Sequence, residues 1–474
     1  MQLSLGEVAV ILGTSCEVPE RAARGYSIDS RTLAPGQLFF AIRGPRFDGH
    51  DFVGQAFERG AVGAVVEHAF RAARPPWLAE VLLPVGNTTE ALQQLARAVR
   101  RKWGRQLVAI TGSTGKSTIK EMAAAALGQR LSVLKSFGNL NNCYGLSLTL
   151  LALEPTHDVA VAELAMSAPG EIQLLTRIAE PQIGVVTNVA PVHLQFFDSI
   201  DSIARAKREL IDNLPLSGTA VLNYDDEWVL RFTEGFKGRV VTFGFREGAD
   251  FQALDVNLES AGGSRFRVRG PKLDGEFHLS LPGHHNVQNA LAALATASLF
   301  EIPLADLQQA LAHFQALPQR SEILTLPQGI TLINDCYNSN PVAMEKMLET
   351  LAAWPEAARR IVVAGEMLEL GPTSPEWHRK VGRKCAERGV DWLLAVQGDA
   401  RFFLEGAKEG GLAAERRRFF STPEEAAGFC RILLRPGDVL LLKGSRGVHL
   451  EKVKELLAAS ESRLPANSKA EPAS

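Results

Sequence analysis

The chain has 474 residues, 46% of them apolar and 22% charged, a balance ordinary for a globular protein and too apolar for one that stays disordered. Lys and Arg number 51 against 53 Asp and Glu, a net charge of −2, so the basic excess of a dedicated nucleic-acid binder is missing and no nucleic-acid partner is expected. At roughly 100–200 residues per domain, the length predicts two to four domains.

No apolar run reaches the roughly 18 residues of a membrane helix. The opening MQLSLGEVAVILG has no basic segment and an acid at Glu7, so neither a signal peptide nor membrane insertion is expected. The cysteines (Cys16, Cys143, Cys336, Cys385 and Cys430) are odd in number, scattered and free of any CxxC pair. That pattern points to a reduced, cytoplasmic protein rather than a disulfide framework or a zinc site.

Residues 1–102 alternate apolar runs (QLFFAI, AVGAVVE, EVLLPV) with glycine-rich loops. ALQQLARAVRRKWG then shows helical spacing, and Arg100, Arg101 and Lys102 stand where cations suit a helix C-terminus. A phosphate-binding role is the alternative for that cluster. Residues 103–316 open with QLVAITGSTGKSTIKEMAAAALG, which reads as a strand, a glycine loop and an alanine-rich helix. DVAVAEL, IGVVTNV and TAVLN predict further strands, with EIQLLTRI and IDSIARAKRELIDNL as helices between them. Such alternation predicts a parallel sheet with crossover helices. From Val240 to Leu281 the pattern reads as antiparallel strands, and LPGHHNVQNALAALATASLF returns to helix. Residues 317–460 carry ITLINDCYN, RRIVVAGEM, WLLAVQG and DVLLLKG between helices, a second and smaller parallel α/β unit. Residues 461–474 are small and polar, and a disordered tail is expected there.

Thr111, Gly112, Ser113, Thr114, Gly115, Lys116, Ser117 and Thr118 lie between a strand and a helix, where backbone N–H groups and the helix N-terminus cradle anions. The glycines let the backbone approach phosphate oxygens. Lys116 would reach the β- and γ-phosphates, and the Ser117 hydroxyl would hold Mg²⁺. The long form of this motif needs glycine at 110, where the chain has Ile110, so the loop is the shorter TGxxGKS. Glu163 ends the strand DVAVAEL, at the sheet edge where α/β proteins bind ligands, and a carboxylate there suits a nucleotide-bound Mg²⁺. His193 follows the next strand, although a lone histidine is more often a structural hydrogen-bonder. Lys207 reads as an ordinary exposed helical lysine. Asn286 and Asn289 share a face of the helix opened by GHHNVQN, with simple capping as the plain alternative.

Taken together, these residues resemble the Mur ligase family, the ATP-dependent amide ligases of peptidoglycan precursor synthesis. TGSTGKST, NLNNCYG from Asn139 to Gly145 (in which Asn142 is the candidate for binding substrate), Glu163, His193, AKREL around Lys207 and HHNVQN stand in the family's order. Arg320 falls at the family's inter-domain arginine. INDCYNSNP at 333–341, VAGEMLELG at 363–371 and LLKGSRG at 441–447 resemble the branch that adds D-alanyl-D-alanine. The DNPR segment of the diaminopimelate-adding relative is missing. IDSRTLAPGQLFFAIRGPRFDGHDF resembles the nucleotide-sugar-binding domain, with Ser30, Arg31, Asp48, Gly49 and His50 near the UDP-sugar. The chain departs from the family at Ser147, usually proline, at Gln319, usually glycine, and in the histidine loop APVHLQFFDS.

The resemblance implies three α/β domains: a small N-terminal UDP-sugar-binding domain over 1–102, a central P-loop parallel-sheet ATPase domain over 103–316 and a C-terminal Rossmann-like domain over 317–460. It implies ATP and Mg²⁺ as cofactors, UDP-MurNAc-tripeptide and D-Ala-D-Ala as substrates, an acyl-phosphate intermediate and a monomer. Lys116 and the loop amides would neutralise the γ-phosphoryl group, and Ser117 with Glu163 would hold a first Mg²⁺. His193 and Lys207, the latter as a carbamate, would hold a second. Asn286 and Asn289 would lie near adenine, and Arg320, Asp335, Tyr337 and Asn338 would complete the nucleotide site on domain closure. Lys443, Ser445 and Arg446 are candidates for the dipeptide carboxylate or the muramyl peptide. Rival readings are a sister ligase adding one amino acid, a folylpolyglutamate-type ligase, a P-loop ATPase without ligase activity, and a nucleotide-gated binding protein.

Overall fold

The computed structural model describes residues 1–70, 78, 80–192, 195–259 and 262–459. His193 and the expected tail at 461–474 lie outside them. Backbone contacts divide the chain into two compact units. One comprises Met1–Val189, Asp201–Gln252 and Leu291–Leu307, and the other Ala190–Ile200, Ala253–Ala290 and Gln308–Ser474.

The first unit contains two parallel sheets. The smaller has strands Gly25–Ser27, Gln37–Phe40, Gly63–Glu67 and Leu82–Val85 in sequence order. Phe39, Val66 and Leu82 are buried in its core. The helix Thr88–Trp103 follows, opened by the Asn87 side chain accepting from Thr89 and Glu90 and closed by Gly104 in the left-handed region. Its basic end is spent on protein contacts. Arg100 donates to the carbonyls of Ala179 and Glu180 and to Gln182, Arg101 pairs with Glu180 at 2.7 Å, and Lys102 pairs with Glu7 at 3.1 Å.

The larger parallel arrangement runs Arg239–Gly244, Thr219–Asn223, Ile183–Val186, Gln106–Thr111, Val159–Glu163 and Val133–Lys135. Its central strands are mostly apolar and, apart from Gln106, buried, as expected of parallel strands covered on both faces. After Gln106–Thr111 the chain goes to the edge strand Val133–Lys135, fills the gap with Val159–Glu163 and then crosses to the other side with Ile183–Val186. Ile110 therefore lies opposite Glu163, and Thr111 opposite Val186. Such a reversal of strand order leaves a ligand crevice at the carboxyl ends.

The second unit holds a six-stranded sheet in the order Glu322–Leu326, Ile330–Asn334, Asp438–Lys443, Arg359–Gly365, Trp392–Val396 and Arg417–Phe420. All neighbours are parallel except the first pair. Apolar residues pack on both faces of this sheet.

Two sequence expectations need correction. Within the stretch expected to be antiparallel, Arg239–Gly244 is parallel to Thr219–Asn223, and Phe251 pairs with Phe243 in parallel register. Ser264–Gly270 and Leu273–Leu279 are paired antiparallel, as expected. Alternating apolar residues report one buried face and not strand direction, and the helix Glu227–Leu230 supplies the crossover that parallel pairing needs. The third block also has an antiparallel edge, because only Pro327–Gly329 separates its first two strands.

Candidate functional site

In the first unit the phosphate loop is held by the neighbouring strand end. Ser113 N–H donates to the Asn188 carbonyl at 2.9 Å, Thr114 N–H to Asn188 Oδ1 at 3.0 Å, and Thr187 Oγ1 to the Thr114 carbonyl at 2.6 Å. Gly112 has φ 146°, and a Cβ there would sit 1.8 Å from Thr187 Oγ1, so only glycine fits beneath the loop. Gly115 is left-handed, and no side chain caps the helix Lys116–Leu127 that follows it. Its first N–H groups are suited to an anion. Lys116 Nζ donates to the Gly112 carbonyl at 2.8 Å, which folds the ammonium back over the loop.

Ser117 and Glu163 are brought together. The hydroxyl donates to Glu163 Oε2 at 2.6 Å, and both groups are buried. The other carboxylate oxygen accepts from Asn141 Nδ2 at 2.9 Å. Asn141 stood inside a quoted motif, but the residue singled out was its neighbour. Asn142 Oδ1 is used to cap the helix Cys143–Leu151 through Gly145 N–H. A cavity of about 390 Å³ opens beside this pair, with Met166, Ser167, Glu171 and Leu174 in its lining.

Lys207 is not an exposed lysine. It lies on the buried face of the helix Ile200–Asp212 and is 2% exposed. Burial drives its pKa well down, and the Lys116 charge adds to that. Its side chain has no hydrogen-bond or ion-pair partner among the described residues.

The candidate sugar-site residues form a braced corner. Ser30 Oγ donates to Gln55 Oε1 at 2.6 Å, and Arg31 pairs with Asp29 at 2.7 Å. His50 Nε2 accepts from Glu67 N–H at 2.9 Å, so the proton sits on Nδ1 and is donated to Asp48 at 2.6 Å. Arg43 binds the other Asp48 oxygen at 2.9 Å. A Cβ at Gly49 would lie 2.6 Å from the Ile42 backbone. His50 thus fixes its loop, while Arg31 is exposed.

In the second unit, Arg320 stacks on Tyr337 with its guanidinium carbon 4.1 Å from the ring centre. Its neighbours Gln319 and Ser321 have φ of 62° and 50°. Asp335 accepts from Ser321 N–H at 2.8 Å and pairs with Lys443 at 2.6 Å. Lys443 is buried, and its ammonium also donates to the Asn338 carbonyl at 3.0 Å. It therefore holds the YNSNP loop, which leaves Arg446 as the exposed cation. Arg446 donates to Gln319 Oε1 at 2.6 Å. Ser445 is buried, accepts from Leu368 N–H at 2.9 Å and donates to the Ser339 carbonyl at 3.4 Å. Asn286 donates to the Pro282 carbonyl at 2.8 Å, and Asn289 to Asn286 Oδ1 at 3.4 Å.

Among the described residues no group of three His, Cys, Asp or Glu side chains could hold a metal ion, and no helix is long and apolar enough to cross a membrane.

Three family descriptions match consecutive parts of the chain: the Mur ligase family catalytic domain over residues 23–100, the Mur ligase middle domain over 110–297 and the Mur ligase glutamate ligase domain over 319–446. A UDP-N-acetylmuramoyl-tripeptide–D-alanyl-D-alanine ligase of Bacillus subtilis (strain 168) is 34% identical across 91% of this chain and 93% of its own. The crystal structure of MurF from Acinetobacter baumannii aligns with a TM-score of 0.88 at 30% identity, covering 97% of this chain and 99% of that one. MurF of Thermotoga maritima in complex with ADP aligns at 0.82 with 28% identity, covering 93% and 99%.

Proposed function

Because the chain belongs to the Mur ligase family, we propose that it joins D-Ala-D-Ala to UDP-MurNAc-tripeptide at the expense of ATP, in peptidoglycan precursor synthesis. The products are UDP-MurNAc-pentapeptide, ADP and phosphate. The observation that carries this reading is the 34% identity, spread over 91% of the chain, to a ligase of that name. The structure adds support for the branch. The three segments typical of dipeptide addition are far apart in sequence, yet they meet at Lys443 and Ser445.

The chemistry is carboxylate activation. A terminal carboxylate oxygen of the tripeptide bonds to the γ-phosphorus, and the bond from that phosphorus to ADP breaks. The dipeptide amine then attacks the acyl carbon, the tetrahedral adduct expels phosphate, and the amine loses its proton. Positioning and charge neutralisation supply most of the catalysis. The open N-terminus of Lys116–Leu127 and the loop amides receive the phosphates, and Lys116 moves from its Gly112 carbonyl onto the γ-phosphate. The cavity beside Asn141 takes the peptide end of the UDP-sugar substrate, whose nucleotide lies toward Ser30, Arg31 and the Asp48–His50 loop. Asn286 and Asn289 contact the base. Arg446, steadied by Ser445, pairs with the dipeptide carboxylate.

Ser117 Oγ and Glu163 Oε2 are buried hard oxygen donors 2.6 Å apart, a pair that suits Mg²⁺, which keeps several waters and substrate oxygens. When bound, that cation neutralises charge on the phosphoryl oxygens. Carbamylated Lys207 and His193 are the proposed holders of a second ion. The enzyme is proposed to act as a monomer in the cytoplasm.

The test is incubation with ATP, Mg²⁺ and UDP-MurNAc-tripeptide, with D-Ala-D-Ala in one arm and a single amino acid in the other. Phosphate release and a product heavier by one dipeptide, in the first arm only, are expected. Addition of one amino acid would make the chain a sister ligase. Phosphate release without the UDP-peptide would leave a plain ATPase.

A further inference from the structure

We propose that His378, a residue outside every motif above, is a positioning residue for the D-Ala-D-Ala site and acts by fixing the loop that seats Ser445 and Arg446. The proposal rests on the reading of Arg446 as the carboxylate partner of the dipeptide.

The loop after the strand Arg359–Gly365 is tied down by three successive amides. Glu366 N–H donates to the Val396 carbonyl at 3.2 Å, Met367 N–H to His378 Nε2 at 3.0 Å, and Leu368 N–H to Ser445 Oγ at 2.9 Å. Ser445 N–H returns to the Glu366 carbonyl at 3.1 Å. The first of these bonds extends the sheet, and any sequence could make it. The second depends on one side chain. Met367 is buried, so its amide would have no replacement partner in water.

His378 is built for that single task. It sits one turn into the helix Ser374–Glu387 and is 0% exposed. Nδ1 lies 2.7 Å from the Ser374 carbonyl, and the ring packs on Phe403 with centroids 4.6 Å apart. Nε2 must accept from Met367, so the proton belongs on Nδ1, where Ser374 receives it. Burial lowers the pKa of this imidazole, which keeps Nε2 an acceptor. The bond sequence then runs from His378 through Met367 and Leu368 to Ser445, and from there to Arg446. The loop also reaches the segment that follows the histidine motif, because Gln195 N–H donates to the Glu369 carbonyl at 3.3 Å.

Three substitutions separate positioning from packing. His378→Gln can keep an acceptor near the Nε2 position. His378→Asn can keep the donor to Ser374 but withdraws the acceptor. His378→Phe keeps the ring on Phe403 and loses both. Steady-state kinetics would be measured for each substrate in turn. The Asn and Phe variants are expected to raise KM for D-Ala-D-Ala about tenfold, the equivalent of one buried hydrogen bond. KM for ATP and for the UDP-tripeptide should stay within about twofold. The Gln variant should stay near the parent enzyme.

Equal behaviour of all three variants, or an Asn variant like the parent, would overturn the proposal. So would an equal rise of all three KM values. Should the Phe variant not fold, the Asn and Gln pair carries the comparison. Ser445→Ala provides an independent arm that leaves His378 in place. It must raise KM for D-Ala-D-Ala selectively, and an unchanged KM there also refutes the proposal. A parent enzyme inactive with D-Ala-D-Ala would instead sink the functional reading, so the two failures are distinct.

Discussion

Lys207 offers the sharpest test of the chemistry. A lysine ammonium held out of water without a counter-ion costs several kcal/mol, and here Lys116 adds repulsion to burial. Both effects favour the neutral amine, the form that adds to CO2. At an ordinary lysine pKa only about one amine in 10³ is neutral at pH 7.5, and each unit of lowering raises that fraction tenfold until it saturates. A carbamate formed from that amine would be an anion, and its interaction with Lys116 would be attractive where that of the ammonium is repulsive. Lys207→Ala is expected to lower kcat on the order of 10²–10³-fold, the scale of removing one preorganised electrostatic group. Lys207→Arg should be equally poor, since a guanidinium stays charged and forms no carbamate. The assay is the complete ligase reaction, alongside a ¹³C-bicarbonate NMR spectrum in which the carbamate carbonyl disappears with Lys207. Short carboxylates such as acetate should partly restore the Ala variant. An active Arg variant, or a parent enzyme without the carbamate signal, would refute the reasoning and leave a buried neutral amine.

Other substitutions read single contacts. Gly112→Ala drives a methyl group into Thr187, so nucleotide affinity measured by calorimetry should fall more than tenfold, an energy above about 1.4 kcal/mol. An unchanged affinity would mean the loop is soft. Leu174→Trp narrows the cavity beside Asn141 and should raise KM for the UDP-peptide while leaving KM for ATP unchanged. An effect on ATP alone would place the peptide elsewhere. Gln319 has φ 62°, so the Gly variant should be more stable than the Ala variant by about 1 kcal/mol in urea unfolding, both having lost the bond to Arg446. Equal stabilities would mean the backbone there carries no strain. Finally, burial lowers the pKa of His285 and His378 in the folded chain. The unfolded chain takes up these protons first, near pH 6.5, so their contribution is full above that value and is lost as pH falls below it. The urea midpoint should drop between pH 7.5 and 5.5, and a midpoint that holds or rises would contradict this.

What the sequence disclosed follows from how local each feature is. The phosphate loop was legible because its strand, glycines, lysine and helix are contiguous, and Glu163 because a strand end fixes its place at the sheet edge. The asparagine pair was only half legible. Asn141 and Asn142 are chemically identical, and the start of the helix Cys143–Leu151 decides which one caps it and which one reaches Glu163. Strand direction over Arg239–Gly244 was misread because polarity alternation is blind to it. The departure at Gln319 became intelligible only with its dihedral. A left-handed backbone there suits the glycine of the family pattern, and the bond to Arg446 supplies a use for the glutamine side chain.

The lysines make the same point about charge. In sequence, Lys443 resembled a substrate ligand and Lys207 a surface residue, yet both are buried. They differ in what meets them. Lys443 faces Asp335 at 2.6 Å and is a fastener for its own loop, whereas Lys207 has no carboxylate partner among the described residues and feels the charge of Lys116. A buried lysine matched by a carboxylate needs no further partner. One buried without a carboxylate is better accommodated uncharged, so the two lysines should answer differently to substitution.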